Sequence, residues 1–210
     1  MRGVLITVEG VEGAGKTTQC RMLADWLRGR GYGVCETKEP DGTRLGEVVR
    51  AVFEQDEIAP TPLTEVFLFL AARQQHVARV IRPALDRGEV IISDRYADAT
   101  VAYQGYGRGV ELQTLRELNA LATGGLRPDL TLLLDLDAEV GIRRVSGRAL
   151  DAFERMDLAF HRRVRQGYLE IAREGKDRVV LVRAEQSAEA LQAEVRAAVE
   201  ELLEGLRRRP

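Results

Sequence analysis

The segment from Gly10 to Thr17 has the residue types and spacing of a loop that binds nucleotide phosphates, because it matches the pattern G-x-x-x-x-G-K-[ST]. The residues concerned are Gly10, Val11, Glu12, Gly13, Ala14, Gly15, Lys16 and Thr17, with Thr18 adjoining them. Glycines allow the backbone N–H groups of such a loop to point inward at phosphate oxygens. Lys16 would bring positive charge to the outer phosphates, and Thr17 would offer a hydroxyl ligand to Mg²⁺. The sequence therefore predicts binding of a nucleoside triphosphate with magnesium.

A phosphate loop does not by itself say what happens to the nucleotide. A GTPase-like switch or an ATP-driven partner protein is therefore a competing interpretation. Guanine-specific switches resemble one another in carrying the sequence N-K-x-D. The only asparagine of this chain, Asn119, is followed by Ala120 and Leu121. The sequence thus favours a phosphoryl-transfer enzyme over a guanine-nucleotide switch.

A second candidate site is formed by Asp94 and Arg95, which follow the apolar segment Val90 to Ser93. A carboxylate there can hold Mg²⁺ directly or through water, and a guanidinium can bind a phosphate with two parallel hydrogen bonds. Upstream, Phe69 and Arg73 stand one helical turn apart, which suits a flat base beside a phosphate. From spacing alone, core packing of Phe69 beside a solvated Arg73 is the alternative.

Strand-like apolar segments alternate with helical patterns along the chain. The predicted strands are Val4 to Glu9, Gly33 to Thr37, Val90 to Ser93, Leu130 to Leu136 and Val179 to Val182. The predicted helices are Lys16 to Arg30, Leu63 to Arg87, Glu111 to Thr123, Ala138 to Arg144, Phe153 to Glu174 and Ala188 to Arg207. This order predicts an α/β fold, a five-stranded parallel sheet with helices on both faces, whose ligands bind beyond the carboxyl ends of the strands.

Composition narrows the class of protein. A chain of 210 residues without internal repeats predicts one domain over residues 1–210. Lys and Arg total 31 against 33 Asp and Glu, and this net charge of −2 argues against nucleic acid as a partner. The sequence has no apolar run of membrane-spanning length and no signal segment at Met1, and Cys20 and Cys35 lack zinc spacing. We therefore expect no membrane partner and a cytoplasmic protein.

Several segments together resemble bacterial thymidylate kinases, members of the P-loop nucleoside monophosphate kinase superfamily. The segments are Glu9 to Thr18, Glu39 to Thr43, Phe69 to Arg73, Asp94 to Tyr96, Ala102 to Gly105, Arg127 to Thr131 with Leu134 and Asp135, and Phe160 with Arg165, Gly167, Tyr168 and Leu169. The resemblance spans nearly the whole chain, and it depends on the order and spacing of these segments because no single motif would suffice.

The resemblance implies transfer of the terminal phosphoryl group of ATP, with Mg²⁺, to dTMP, giving dTDP for pyrimidine deoxynucleotide synthesis. It also implies a homodimer. The residues implied for the acceptor are Phe69 stacking on thymine, Arg73, Thr100 and Gln104 near the base, Tyr103 near the C2 side of the sugar, Arg95 on the phosphate, and Glu12 near the sugar or the reacting phosphates. A deoxynucleoside kinase is the alternative enzyme, and a non-enzymatic nucleotide switch is the more distant one.

Family members cover the donor with a basic lid, which corresponds here to about Arg143 to Glu154. The resemblance implies that Arg148 stabilises the transferring group and that Arg143 or Arg144 flanks the adenine. Another branch of the family carries an arginine at the position of Gly13, so the lid is expected to supply the catalytic guanidinium.

Three residues depart from the family pattern. Asp41 stands where the family usually has glycine, and Ala99 stands where it usually has serine. Ala152 replaces an arginine of the lid, so Arg148 or Arg155 would have to act in its place.

Overall fold

The computed structural model describes residues 3–55, 57–146 and 152–208. The strands in these ranges are β1 (Val4–Glu9), β2 (Val34–Lys38), β3 (Val90–Asp94), β4 (Leu130–Asp135) and β5 (Val179–Arg183). The α-helices are α1 (Lys16–Gly29), α2 (Arg44–Phe53), α3 (Pro62–His76), α4 (Arg82–Asp86), α5 (Ala97–Thr100), α6 (Leu112–Thr123), α7 (Ala138–Val145), α8 (Leu158–Glu174) and α9 (Ala188–Arg207). Two π-helical segments, Val77–Ile81 and Val101–Gly107, continue α3 and α5.

The strands form one parallel sheet in the order β2-β3-β1-β4-β5. Alternate side chains of β1 enter different cores, since Val4 and Ile6 belong to the large cluster and Leu5 packs with Ile91 and Ile81 in a smaller one. Burial on both faces explains why β1, β3 and β4 read as almost continuous apolar runs, whereas the edge strands β2 and β5 are partly exposed. The predicted five-stranded α/β fold is confirmed.

Helix α2 was not among the predicted helices. The Thr43 side chain caps it by accepting the N–H of Gly46 at 3.2 Å, and its buried face carries Val49 and Phe53 one turn apart. A Cβ at Gly46 would clash with the carbonyl oxygen of Pro40. Glycine therefore lets α2 pack directly on the loop after β2.

Helix α8 begins later than predicted, at Leu158 rather than Phe153. The carboxylate of Asp157 accepts the N–H of Phe160 at 2.7 Å and so defines the first turn. Residues 152–156 form turns instead, which leaves Phe153 outside the helix.

The π-helical segment Val101–Gly107 packs against α8. A Cβ at Gly107 would lie 2.6 Å from the ring of Phe160, so the two backbones approach closely at this glycine. The segment buries Tyr103 and Gln104.

Helix α9 is amphipathic, because Leu191, Val195, Val199 and Leu203 face the core at helical spacing while charged residues occupy the other face. In the part of the chain that the structure describes, no helix is both long enough and apolar enough to cross a bilayer.

Candidate active site

The phosphate loop, residues 10–17, connects β1 to α1 at the centre of the sheet. Gly10, Gly13 and Gly15 have φ values of 144°, 69° and 88°, a region that residues with a side chain rarely enter. Because α1 begins at Lys16, its first N–H groups and its positive end face the loop. The backbone therefore has the form of an anion-binding site.

Helix α7 packs against this loop at two glycines. A Cβ on Gly13 would clash with the carbonyl oxygen of Gly141, and a Cβ on Gly141 would clash with that of Glu12. Arg144, farther along α7, donates to the carbonyl oxygen of Gly13 at 3.1 Å. The close approach thus fixes the loop and brings one arginine to it.

Lys16 is buried, and its ammonium donates to the carbonyl oxygen of Val11 at 2.8 Å. Burial and the nearby Arg95 lower the pKa of Lys16 from 10.5 to about 8, although Asp94 and Glu12 oppose the shift. At neutral pH the side chain is still charged.

Thr17 and Asp94 meet beside the loop, where the Thr17 hydroxyl donates to a carboxylate oxygen of Asp94 at 2.6 Å. Both groups present oxygen, which Mg²⁺ prefers. Among the described residues no three His, Cys, Asp or Glu side chains cluster as a metal site. The pair fits a magnesium ion that takes its other ligands from phosphate oxygens and water, as Mg²⁺ does in nucleotide sites.

Arg95 lies between the phosphate loop and the residues predicted for the acceptor. Its guanidinium donates to the carbonyl oxygen of Gly10 at 3.2 Å, to Glu12 at 3.1 Å, and to the hydroxyls of Tyr103 and Tyr168 at 3.0 and 3.1 Å. The side chain remains 22% exposed, so part of it can reach a ligand.

Glu12 is buried beside this guanidinium. One oxygen accepts from Arg95 and Tyr103, and the other lies 3.4 Å from Nδ1 of His161. Burial alone would raise the pKa of Glu12, but His161, Arg95 and Lys16 together lower it from 4.5 to about 2. The carboxylate is therefore charged at any physiological pH.

A cavity that we call the aromatic pocket adjoins these groups. It is lined by Glu12, Glu39, Pro40, Arg50, Phe53, Glu54, Phe69, Arg73, Arg95, Ala99, Thr100, Tyr103, Gln104 and Phe153. All the residues predicted for the acceptor are in this set, namely Glu12, Phe69, Arg73, Arg95, Thr100, Tyr103 and Gln104. The structure brings them together, while their individual roles stay predictions.

Flat rings dominate one side of the aromatic pocket. Phe69 stacks on Phe53 with ring centroids 4.7 Å apart and planes at 2°, and Phe153 lies 5.8 Å from Phe69 at a tilt. Tyr103 meets Phe153 edge to face at 6.0 Å. This geometry offers a planar ligand an aromatic surface on which to stack.

Arg73 is buried rather than solvated. It donates to Glu39 at 2.8 Å, to Thr100 at 2.8 Å, to Asn119 at 2.6 Å and to the carbonyl oxygen of Tyr96 at 2.9 Å. The solvated-charge alternative for Arg73 is therefore wrong. Its guanidinium is held rigidly at the wall of the aromatic pocket.

A second cavity, the polar cleft, covers the phosphate loop. It is lined by Glu12, Gly13, Gly15, Lys16, Thr17, Thr18, Lys38, Glu39, Arg50, Glu54, Asp94, Arg95, Arg144, Glu154 and Arg155. Glu12, Glu39, Arg50, Glu54 and Arg95 line both cavities, so the two are continuous. Four residues predicted for ATP do not line the cleft. Gly10, Val11 and Ala14 are buried residues of the phosphate loop, and Arg143 is exposed on α7.

The predicted lid is only partly placed. Arg148, its predicted catalytic arginine, lies outside the described residues. Arg155, the alternative to Arg148, lines the polar cleft, and Phe153 lines the aromatic pocket. The described end of the segment thus reaches both cavities.

Comparison with known proteins agrees with this geometry. The sequence matches the family model described as "Thymidylate kinase" over residues 8–195. The chain belongs to the thymidylate kinase family. It is 49% identical to a thymidylate kinase of Deinococcus radiodurans over 95% of this chain and 98% of the relative, and 50% identical to one of Nitratidesulfovibrio vulgaris over 89% and 87%. A crystal structure of thymidylate kinase from Ehrlichia chaffeensis superposes with a TM-score of 0.80 at 31% identity, covering 95% of this chain and all of that one.

The structure shows the surroundings of two residues that depart from the thymidylate kinase pattern, Asp41 and Ala99. The charge of Asp41 is paired, since Arg50 contacts it at 2.7 Å and Lys38 at 2.8 Å. Ala99 lines the aromatic pocket and adds no polar group there.

Sequence reasoning missed several residues of the site. Phe53 and Arg50 were missed because α2 was not predicted, although Thr43 before an amphipathic run was a usable signal. No motif in the sequence marks His161 as a residue of the site, and only the tertiary structure places it beside Glu12.

Glu9, at the end of β1, is another buried acid at the site. Its two oxygens accept the N–H of Tyr96 at 2.7 Å and the hydroxyl of Tyr168 at 2.8 Å. Burial and the negative charge of Asp98 raise the pKa of Glu9 from 4.5 to about 8, although Arg95 opposes the shift. The carboxyl group therefore retains its proton at neutral pH.

Replacing Glu9→Gln should change how stability depends on pH. Between pH 4.5 and about 8 the folded protein keeps a proton on Glu9 that the unfolded chain releases. The free energy of unfolding of the parent protein should therefore fall as pH rises through this window, by at most about 1.4 kcal/mol per pH unit from this group. The Glu9→Gln protein lacks this contribution. Its free energy of unfolding minus that of the parent should therefore increase as pH rises through the window.

Chemical denaturation of both proteins at several pH values in that range measures the difference. Glu201→Gln, at an exposed position of α9, is the control and should keep the parent slope. Parallel pH profiles for the parent and Glu9→Gln would show that Glu9 does not titrate in this window.

Proposed function

We propose that this protein transfers the terminal phosphoryl group of ATP to dTMP, giving ADP and dTDP. Membership of the thymidylate kinase family supports the activity. The observation that carries it in this chain is the position of Arg95, whose guanidinium contacts Gly10 of the phosphate loop and Tyr103 of the aromatic pocket. One arginine thus lies where a donor phosphate and an acceptor phosphate would meet.

On the donor side, the N–H groups of the phosphate loop and the Lys16 ammonium would hold the β- and γ-phosphates. Thr18 lines the same cleft, and Arg144 lies against Gly13. We propose that Arg143 or Arg144 flanks the adenine. The contact of Arg144 with the loop favours Arg144 for this role.

We propose Mg²⁺ as the cofactor, held by Thr17 and Asp94, whose oxygens are in contact. When bound there, the ion would neutralise charge on the donor phosphates. The hydrogen bond from Thr17 to Asp94 holds the two oxygen ligands next to each other before the ion binds.

On the acceptor side, Arg95 would hold the dTMP phosphate so that one of its oxygens attacks the γ-phosphorus in line. The bond from that phosphorus to the β,γ-bridging oxygen breaks, and ADP leaves with the electron pair. Transfer of this kind depends on alignment and on charges aimed at the transferring oxygens. Lys16 and Arg95 supply such charges from positions that are fixed before the reaction.

The base and sugar would bind in the aromatic pocket. Phe69 would stack on thymine, and Arg73, Thr100 and Gln104 would bound the base. Tyr103, which is buried and hydrogen-bonded to Glu12, would stand against the C2 side of the sugar and disfavour ribonucleotides. We further propose that Arg148, with Arg155 beside the cleft, completes the donor site when the lid of residues 143–154 closes.

An acceptor panel tests the proposed activity. The purified protein is incubated with ATP, Mg²⁺ and a set of nucleosides and nucleoside monophosphates, and the products are separated. We expect dTMP to be phosphorylated on the order of 100-fold or more faster than thymidine, since thymidine lacks the group that Arg95 would hold. Lys16→Ala, with turnover lower by roughly 100-fold, controls for a contaminating kinase.

Two other results would favour the alternatives. Phosphorylation of thymidine but not of dTMP would identify a deoxynucleoside kinase. Slow ATP hydrolysis that no acceptor changes would identify a nucleotide switch.

The role of Phe69 is tested by a pair of substitutions. Phe69→Leu keeps an apolar side chain against Phe53 but removes the flat ring, so we expect the KM for dTMP to rise roughly 3- to 10-fold. Phe69→Tyr keeps the ring, so its KM for dTMP should stay near that of the parent protein. The KM for ATP should change in neither protein, and a matching rise in both KM values of Phe69→Leu would contradict stacking on the acceptor.

We propose that the protein is a homodimer. Exposed apolar side chains support this proposal, because Leu63 and Phe67 lie one turn apart on α3 and Leu45 and Val48 lie together on the adjoining α2. Phe67 is 54% exposed, and a group of exposed large apolar side chains is typical of a surface that a partner covers.

Phe67→Asp should shift the protein from dimer to monomer, because a carboxylate would be buried without a partner at the interface. Sedimentation velocity measures the change. Leu181→Asp is the control, since Leu181 is 48% exposed but lies on the edge strand β5. A monomeric parent protein, or a Phe67→Asp protein that remains dimeric, would refute the proposed face.

We also propose that residues 1–210 form one domain and that the protein works in the cytoplasm. The single sheet to which all the described strands belong supports the first point. The thiols of Cys20 and Cys35 are free, which suits a reducing compartment.

A further inference from the structure

Two tyrosine–glutamate pairs hold the guanidinium of Arg95 from opposite ends. Tyr103 accepts from Nη2 at 3.0 Å and donates to Glu12. Tyr168 accepts from Nη1 at 3.1 Å and donates to Glu9 at 2.8 Å. Each phenol therefore connects one terminal nitrogen of the arginine to a buried carboxyl group.

The two pairs differ in their access to a ligand. Tyr103 and Glu12 both line the aromatic pocket. Tyr168 and Glu9 line neither that pocket nor the polar cleft, and their side chains are buried, with relative exposures of 2% and 0%. A role for Tyr168 in binding the acceptor would therefore have to act through Arg95.

The backbone of Arg95 also needs support. Its φ of 73° places it in the left-handed region, which is unfavourable for a residue with a side chain. Such a conformation persists where surrounding contacts fix it. The N–H of Arg95 donates to Val8 at 3.0 Å, and the next N–H, that of Tyr96, donates to Glu9 at 2.7 Å. Glu9 thus contacts both the backbone after Arg95 and the phenol that holds its side chain.

We propose that Tyr168, anchored by Glu9, is a positioning residue that aims Arg95 at the phosphate of the acceptor nucleotide. The inference rests on the proposed function, in which Arg95 binds that phosphate. Tyr168 holds Nη1 from a buried position outside both cavities, while Arg95 itself lines both the polar cleft and the aromatic pocket. Tyr168 thus differs from Tyr103, which lines the aromatic pocket and would contact the nucleotide directly.

Tyr168→Phe removes only the hydroxyl and leaves the ring in the core. Arg95 then loses one hydrogen bond of the kind made to charged groups, and the expected effect is roughly tenfold or more weaker binding of dTMP. Thymidine fills the aromatic pocket without a phosphate, so its affinity should stay at the parent value. A general loosening of the fold would weaken the binding of both dTMP and thymidine.

Calorimetric titration with dTMP and with thymidine is made on the parent, Tyr168→Phe, Arg95→Ala and the double variant. If Tyr168 acts through Arg95, the double variant should bind dTMP as weakly as Arg95→Ala does, because the two losses are not additive. Tyr106→Phe is the matched control. Its ring packs on Gly167, next to Tyr168, yet it belongs to neither pair, so dTMP binding should be unchanged.

The outcomes separate the inference from the proposed function. Equal weakening of dTMP and thymidine in Tyr168→Phe, unchanged dTMP binding, or losses that add in the double variant would each overturn the positioning role while Arg95 keeps its own. A parent protein that binds thymidine as tightly as dTMP, and is unaffected by Arg95→Ala, would overturn both.

Discussion

The parallel pairing of β1 with β3 is the constraint on which the rest of the site depends. It aligns Val8 with Asp94, so the phosphate loop that follows β1 and the Asp94–Arg95 pair at the end of β3 lie side by side. Thr17 then reaches Asp94, and Arg95 reaches Gly10. A shift of one residue between these strands would turn the carboxylate and the guanidinium to other faces and separate both contacts.

Burial of charge is the second theme of this site. Glu12, Lys16 and Arg73 are all buried, and each has charged or hydrogen-bonding partners that compensate for the loss of water. Such an arrangement is a poor way to stabilise a fold, because desolvation offsets most of the attraction. It is a good way to hold charges in fixed positions for a ligand, since little has to reorganise when the ligand binds.

The close approach of the backbones of α7 and the phosphate loop limits which positions can carry an arginine near the phosphate donor. Gly13 and Gly141 let α7 lie directly on the phosphate loop, which leaves no room for a side chain at position 13. An arginine at position 13 is therefore excluded in this backbone, and Arg144 approaches the loop from α7 instead. The same principle operates at Gly46, which brings α2 and hence Phe53 to the aromatic pocket.

Local sequence determined the elements whose signals are local. The phosphate loop, the apolar strands and the amphipathic α9 could be predicted because glycine spacing, continuous burial and helical periodicity each follow from short-range geometry. Resemblance in the order of motifs added the set of acceptor residues. Helix α2 and the late start of α8 were missed because each boundary is marked by a single cap residue, Thr43 or Asp157, which is a usable signal but a less conspicuous one than periodicity.

The partners of each charge were decided by the tertiary structure alone. Nothing in the spacing of Glu9, Arg95 and Tyr168 indicates that they form a chain of hydrogen bonds, because the residues are far apart along the sequence and meet only when β1, β3 and α8 pack together. The same holds for His161 beside Glu12 and for Arg73 among Glu39, Thr100 and Asn119. Sequence patterns record what a segment does by itself, whereas the electrostatic environment of a side chain is set by segments that packing brings to it.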